Sequence, residues 1–136
     1  MLRQAATKAL SILGCADAEL SILITGDMKM RRLNRQWRGI DKTTDVLSFS
    51  MLEGEGTMRA PDAPLVLGDI VISAPRALAQ AVEAGHSLEE EMLFLLVHGI
   101  LHIFGYDHEK GGNEKRRMEK KQKELLISIM EKKRQE

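Results

Sequence analysis

Three of the chain's four histidines fall within eleven residues, in the run His98-Gly99-Ile100-Leu101-His102-Ile103-Phe104-Gly105-Tyr106-Asp107-His108. His98 and His102 are spaced i and i+4, so on a helix they stack on one face, about 6 Å apart at Cβ. Two imidazole nitrogens placed in this way can meet one ion at about 2.0–2.1 Å. Gly105 suits the left-handed conformation that ends a helix, which lets the chain turn back and His108 supply a third nitrogen. Three neutral nitrogens with no fourth protein ligand nearby describe a site that keeps one position open for water. The spacing therefore predicts one Zn²⁺ ion per chain on His98, His102 and His108. Other divalent transition metals such as nickel or copper also suit three imidazoles. His86 stands apart, beside Gly85 at a helix junction, and is expected to be solvated or capping.

The pattern H-x-x-x-H-x-x-G-x-x-H is that of the metzincin zinc peptidases with one change. Those enzymes carry a glutamate after the first histidine as general base; here that position is Gly99. The metal cradle is kept and the carboxylate that activates water for peptide cleavage is gone. Phosphodiester cleavage asks for something different: an activated oxygen nucleophile and a positive group on the phosphate. A metal can acidify water to a pKa near 7 and so replace a missing protein base. Arg38 can clamp a phosphate with its planar fork, and Arg31 and Arg35 on the same helix can track a nucleic-acid backbone. The competing role for Arg38 is a surface salt bridge with Asp41 or Asp45. Asp45 and Asp69, at strand edges, read as structural. Asp107 either orients a ligand from behind or closes a turn, and Tyr106 reads as packing.

The elements that must position these residues follow from periodicity. Leu2, Ala5, Ala6, Ala9, Leu10 and Leu13 recur as on an amphipathic helix, with Cys15 expected as a small buried hydrophobe in it. Leu20, Ile22 and Ile24 alternate as a strand ending at Gly26. Asp27 is placed to cap a helix from Met28 to about Arg38, with Met30, Leu33 and Trp37 on one apolar stripe and the arginines on another face. Val46 to Ser50 is a short strand, residues 53–64 are loop-like, and Leu65 to Ser73 is a third strand. Pro75 sits in the first turn of a helix running to Gly85. Ser87-Leu88-Glu89-Glu90 is a capping box that opens the histidine helix. A last helix, about Asn113 to Lys133, carries Met118, Leu125, Leu126, Ile129 and Met130 on one side. These elements predict an α+β fold (α/β layers): a small mixed sheet covered by helices, with a metzincin-like metal-binding helix.

At 136 residues the chain fits one domain, 1–136, large enough to fold around its own core. With 43% hydrophobic and 29% charged residues it reads as an ordinary globular protein. No apolar run approaches the ~20 residues that span a bilayer, and the N-terminus lacks a signal-peptide pattern. A single cysteine suits a reducing compartment. A cytoplasmic location without membrane contact is expected. Net charge is zero but uneven. Residues 28–42 hold six Lys/Arg against one Asp, and residues 110–136 hold ten against five acids. Two basic blocks of this kind can meet a polyanion.

At this point the sequence resembles the YbeY family, the bacterial endoribonuclease and rRNA maturation factors. The residues that carry the likeness are His98-Gly99-x-Leu101-His102-x-x-Gly105-Tyr106-Asp107-His108, Thr44-Asp45-Val46-Leu47-Ser48-Phe49, Leu67-Gly68-Asp69-Ile70, and Leu33-Asn34 with Arg38. Ser50 departs from the proline usual after that second motif. The resemblance implies a small sheet backed by helices, a metal on His98, His102 and His108, and Arg38 in the site cleft. It also implies cleavage of single-stranded RNA in 16S rRNA 3′-end maturation and ribosome quality control, with the ribosome or its small subunit as partner and no DNA. Two other classes compete: a non-catalytic RNA-binding assembly factor with a structural metal, and another zinc hydrolase. Structural zinc normally takes four protein ligands, which speaks against the first. The missing glutamate speaks against a peptidase.

Overall fold

The computed structural model describes residues 1–52, 65–106 and 111–135. Helix α1 (Leu2–Ile12) buries Ala5, Ala6, Ala9 and Leu10, as its period requires. It ends before Cys15, which lies half-buried in the following turn and not in the helix. Strand β1 (Glu19–Thr25) leads into helix α2 (Asp27–Arg38). Here the cap is the extended Gly26, with no side-chain bond, so Asp27 falls one residue too late to cap. Its carboxylate instead accepts from Ser73 Oγ at 2.7 Å and Thr43 Oγ1 at 3.0 Å. That ties the start of α2 to Ser73 and to the segment just before Val46.

Strand β2 (Val46–Ser50) has the bounds expected of it, and β3 (Val66–Ser73) begins one residue after Leu65. Helix α3 (Ala74–Ala84) opens on a Ser73 cap, with Pro75 in its first turn, and closes at Gly85. Helix α4 (Leu88–Ile103) is capped by Ser87 Oγ, which accepts from the Glu90 N–H at 3.1 Å. Helix α5 (Gly112–Gln135) buries Met118, Leu125 and Ile129, while Met130 turns outward. The loop expected over 53–64 lies outside the described residues. The architecture is α+β, as expected.

The sheet has the order β1-β3-β2, with β1 parallel and β2 antiparallel to β3. Side-chain alternation, interrupted by the register shift between Val66 and Gly68, divides its two faces. Leu67, Ile70 and Ile72 join the large core with α1, α3, α4 and α5. Val71, Leu47 and Phe49 face the other way, onto Met30 and Leu33 of α2. Gly68 is where β3 comes closest to β2: its φ is +146°, and a Cβ there would lie 1.9 Å from the Phe49 carbonyl oxygen. A side chain at that point would force the strands apart.

The α3–α4 junction is held by a pair the sequence did not announce. His86 Nε2 lies 2.5 Å from Glu91 Oε2, a carboxylate only 8% exposed. His86 thus does two things: its backbone N–H donates to the Ala81 carbonyl at 3.1 Å and caps α3, as expected, while its ring partners a buried acid. His86→Ala leaves that carboxylate without its ring, and is expected to lower stability by about 1–3 kcal/mol. His86→Gln, which keeps a donor, should recover part of the loss. Urea unfolding checks both; an unchanged midpoint for His86→Ala would contradict the pairing.

Candidate metal centre

Helix α4 rests on the sheet through its glycine. A Cβ on Gly99 would meet three side-chain atoms of Ile70 at 3.1–3.3 Å, closer than a helix residue normally sits on a strand. Glycine lets the helix approach β3, and the buried Leu95, Leu96, Ile100 and Leu101 fix its rotation. The half-buried His98 and His102 are left on its outer side. Glu89, Glu90 and Glu91 in its first turn complement the helix dipole.

The predicted pair is brought together. His98 Nε2 and His102 Nε2 are 3.1 Å apart, with ring centroids at 4.7 Å and planes at 66°. Two nitrogens on one tetrahedral ion at 2.0–2.1 Å would be separated by roughly 3.3 Å. The pair therefore fits a shared ion with its rings nearly in place. Phe94, one turn before His98, stacks on that ring at 6.4 Å and helps hold it.

Beyond His102 the chain reverses through a Schellman turn. Tyr106 N–H donates to the Leu101 carbonyl at 3.0 Å, Gly105 N–H to the His102 carbonyl at 3.0 Å, and Gly105 takes φ +91°. Tyr106 packs against the core beneath the Arg117 guanidinium, 4.7 Å from its ring centroid. The helix thus ends at Ile103, where the glycine predicted, and Gly105 stands three residues before His108. His108 and Asp107 lie outside the described residues, among which no group of three His, Cys, Asp or Glu gathers to hold a metal.

The arginines lie in another layer. α2 covers the sheet face opposite α4, so Arg31, Arg35 and Arg38 do not share the histidines' helix surface. Arg31 is engaged by Asp41, with bonds of 2.9 and 3.2 Å, and Arg35 stands 4.0 Å from the same carboxylate. The Arg31 hydrogen bond holds the Asp41 carboxyl below its ordinary 3.8. Its contribution to stability is full above that value and disappears as pH falls through the lowered one; both groups are exposed, so the effect is small. Asp45 accepts from the Val46 N–H at 2.8 Å and from Gln80 Nε2 at 3.2 Å, a structural latch. With Asp41 and Asp45 so occupied, Arg38 makes no ion pair among the described residues.

Two residues near this end of the sheet escaped the sequence reading. Ser50 donates to the Ile103 carbonyl at 3.2 Å, joining the end of β2 to the last turn of the histidine helix. Trp37, expected on the buried stripe of α2, is 64% exposed. The helix meets the sheet through Met30 and Leu33, and residues 35–40 all lie exposed beyond that contact.

Fold and site together define an α+β protein whose sheet-packed helix keeps the metzincin histidine spacing and lacks the peptidase carboxylate. The family model for endoribonuclease YbeY matches residues 1–130. The chain is 48% identical over 130 residues to the endoribonuclease YbeY of Geobacter metallireducens, covering 94% of this chain and 84% of that one. It is 52% identical over 124 residues to that of Aquifex aeolicus, covering 91% and 76%. The solution structure of TM1509 from Thermotoga maritima superposes with a TM-score of 0.64 at 28% identity, covering 98% of this chain and 84% of that one. The chain belongs to the endoribonuclease YbeY family.

Proposed function

We propose that this chain, an endoribonuclease by family, cuts single-stranded RNA at a metal held by His98, His102 and His108. The observation that carries the reading is the 3.1 Å separation of the His98 and His102 Nε2 atoms on one helix face. Zinc is the metal whose chemistry suits that donor set best; when bound it supplies Lewis acidity and makes water acidic near neutral pH. The half-buried rings of His98 and His102 orient the centre, and α4, packed through Gly99, keeps them rigid. The wider setting we propose is 16S rRNA 3′-end maturation and ribosome quality control in the cytoplasm, with the small ribosomal subunit as partner. No helix among the described residues is long and apolar enough to cross a membrane. Incubating the purified protein with single- and double-stranded RNA of one sequence, and with a 16S rRNA bearing a 3′ extension, tests this. Cleavage confined to unpaired RNA and to the extension supports it; equal cleavage of the duplex overturns it.

Arg38 is the proposed phosphate-binding side chain, with Arg31 and Arg35 tracking the backbone. Its support is its freedom from Asp41 and Asp45, which are bound elsewhere. If Arg38 steadies charge that builds on the scissile phosphate, Arg38→Ala lowers single-turnover cleavage by about a hundredfold or more with metal content intact. Arg38→Lys, which keeps charge and loses the fork, restores a fraction. An unchanged rate in Arg38→Ala removes it from the site. Arg31→Ala should cost less, because that guanidinium must first leave Asp41.

A further inference from the structure

Trp37 is the chain's only tryptophan and stands 64% exposed on the last turn of α2. Single exposed apolar side chains are ordinary on protein surfaces, so exposure alone assigns nothing. Its setting does. The ring lies edge-on to Phe49, with centroids 6.2 Å apart and planes at 66°, a contact that holds it without covering it. Arg35 and Arg38 share the same exposed final turn. Position is the third observation. Phe49 is the penultimate residue of β2, an edge strand. The next residue, Ser50, bonds from the opposite face to Ile103, the neighbour of His102. Trp37 and the histidine pair therefore flank the same end of one edge strand, on its two faces.

We propose that Trp37 is a stacking platform for an unpaired RNA base lying a few nucleotides from the scissile phosphate. The proposal rests on the RNA-cleaving reading of the histidine pair. Every base has a π-face, so an exposed indole binds single strands without demanding a sequence, while adjacent arginines take the phosphates. A duplex keeps its bases stacked on one another and cannot use the platform, so the ring favours unpaired RNA. A protein partner can also bury a tryptophan as an anchor. The final turn, with Arg35 and Arg38, favours a polyanion; Asp41, 4.0 Å from Arg35, and Asp69, exposed across from Phe49 in the register, border the patch.

Because the chain has one tryptophan, its fluorescence reports on this ring alone. Stopped-flow mixing with a short single-stranded RNA should quench it before cleavage, and an abasic strand of equal length or a duplex should do so far less. Trp37→Ala should raise the KM for single-stranded RNA about 5- to 150-fold, equivalent to ~1–3 kcal/mol. Its circular dichroism and metal content should be unchanged, and Trp37→Phe should recover most of the loss. Unquenched fluorescence at saturating RNA, or a wild-type KM in Trp37→Ala, overturns the platform; with cleavage intact, the histidine reading would stand and the ring would belong to a protein contact. Quenching in a wild type that cleaves no RNA would support the platform and sink the cleavage reading.

Discussion

His102→Ala is expected to strip most of the metal from the protein and to lower cleavage of single-stranded RNA at least about a thousandfold. A metal centre of this kind contributes several kcal/mol to the transition state, and each ~1.4 kcal/mol is a factor of ten in rate. Loss of either ring leaves two of the three proposed nitrogens, which hold the ion far more weakly against solvent, so it should be nearly as severe as loss of both. His98→Ala should behave alike, with a small added cost from the vacated stack on Phe94. Both rings are half-buried on the outer side of α4, so thermal unfolding in the metal-free state should move little. Elemental analysis and single-turnover kinetics on the same preparations check this. Cleavage within tenfold of wild type, or full metal occupancy, would contradict the pair as ligands.

Gly99→Glu carries the largest expected effect on stability. In a metzincin the glutamate at this position serves the metal; here the Cβ vector points into the sheet, with Ile70 atoms at 3.1–3.3 Å. Replacing an interior helix glycine by alanine ordinarily gains up to ~1 kcal/mol. At this site that gain is opposed by overpacking of roughly 1–3 kcal/mol, so Gly99→Ala should be neutral to destabilising. The glutamate adds a carboxylate buried among apolar side chains, costing several kcal/mol more. Against a total of about 5–15 kcal/mol for a domain, Gly99→Glu should be barely folded or unfolded, and inactive on casein. Urea midpoints and circular dichroism for the two variants check the order. A Gly99→Glu protein of wild-type stability would show that α4 does not rest on β3 in this way, and casein cleavage by it would reopen the peptidase reading.

The histidine helix was readable from the sequence because each of its signals is local. The i, i+4 pair, the Ser87 cap and the Gly105 turn are set by neighbours along the chain, and each stands where it was expected. The first strand followed from the alternation of Leu20, Ile22 and Ile24 for the same reason. What escaped the reading depends on contacts between distant segments. Asp27 looked like a cap because of its place before an apolar period, yet its carboxylate is taken by Ser73, 46 residues away. Trp37 sat in phase with Met30 and Leu33, but periodicity does not say how far a helix overhangs the sheet it covers. His86 looked isolated because its acid, Glu91, reads as one more charge in an acidic helix start. The arginine face of α2 was visible as charge, whereas the division of labour within it was not: Asp41 engages Arg31 and Arg35 and leaves Arg38 aside.

The division between Arg31 and Arg38 also explains why charge alone was a weak guide to RNA contact. An exposed pair contributes about 0–1 kcal/mol to stability, so Asp41 is not there chiefly to hold the fold. It offsets the charge of Arg31 and Arg35 and leaves Arg38, beside Trp37, without an ion pair among the described residues. The histidine pair lies around the β2 edge from Trp37, joined to it through Phe49 and the Ser50–Ile103 hydrogen bond.

His98 and His102, with His108, are proposed to hold the metal on which RNA cleavage depends. The most direct measurement is single-turnover cleavage of one end-labelled single-stranded RNA by wild type and His102→Ala, each after exhaustive chelation and again after one equivalent of Zn²⁺. Chelated wild type should be inactive and regain its rate with the ion, and His102→Ala should stay inactive in both conditions. Undiminished cleavage by the chelated wild type, with its metal shown to be gone, would contradict it.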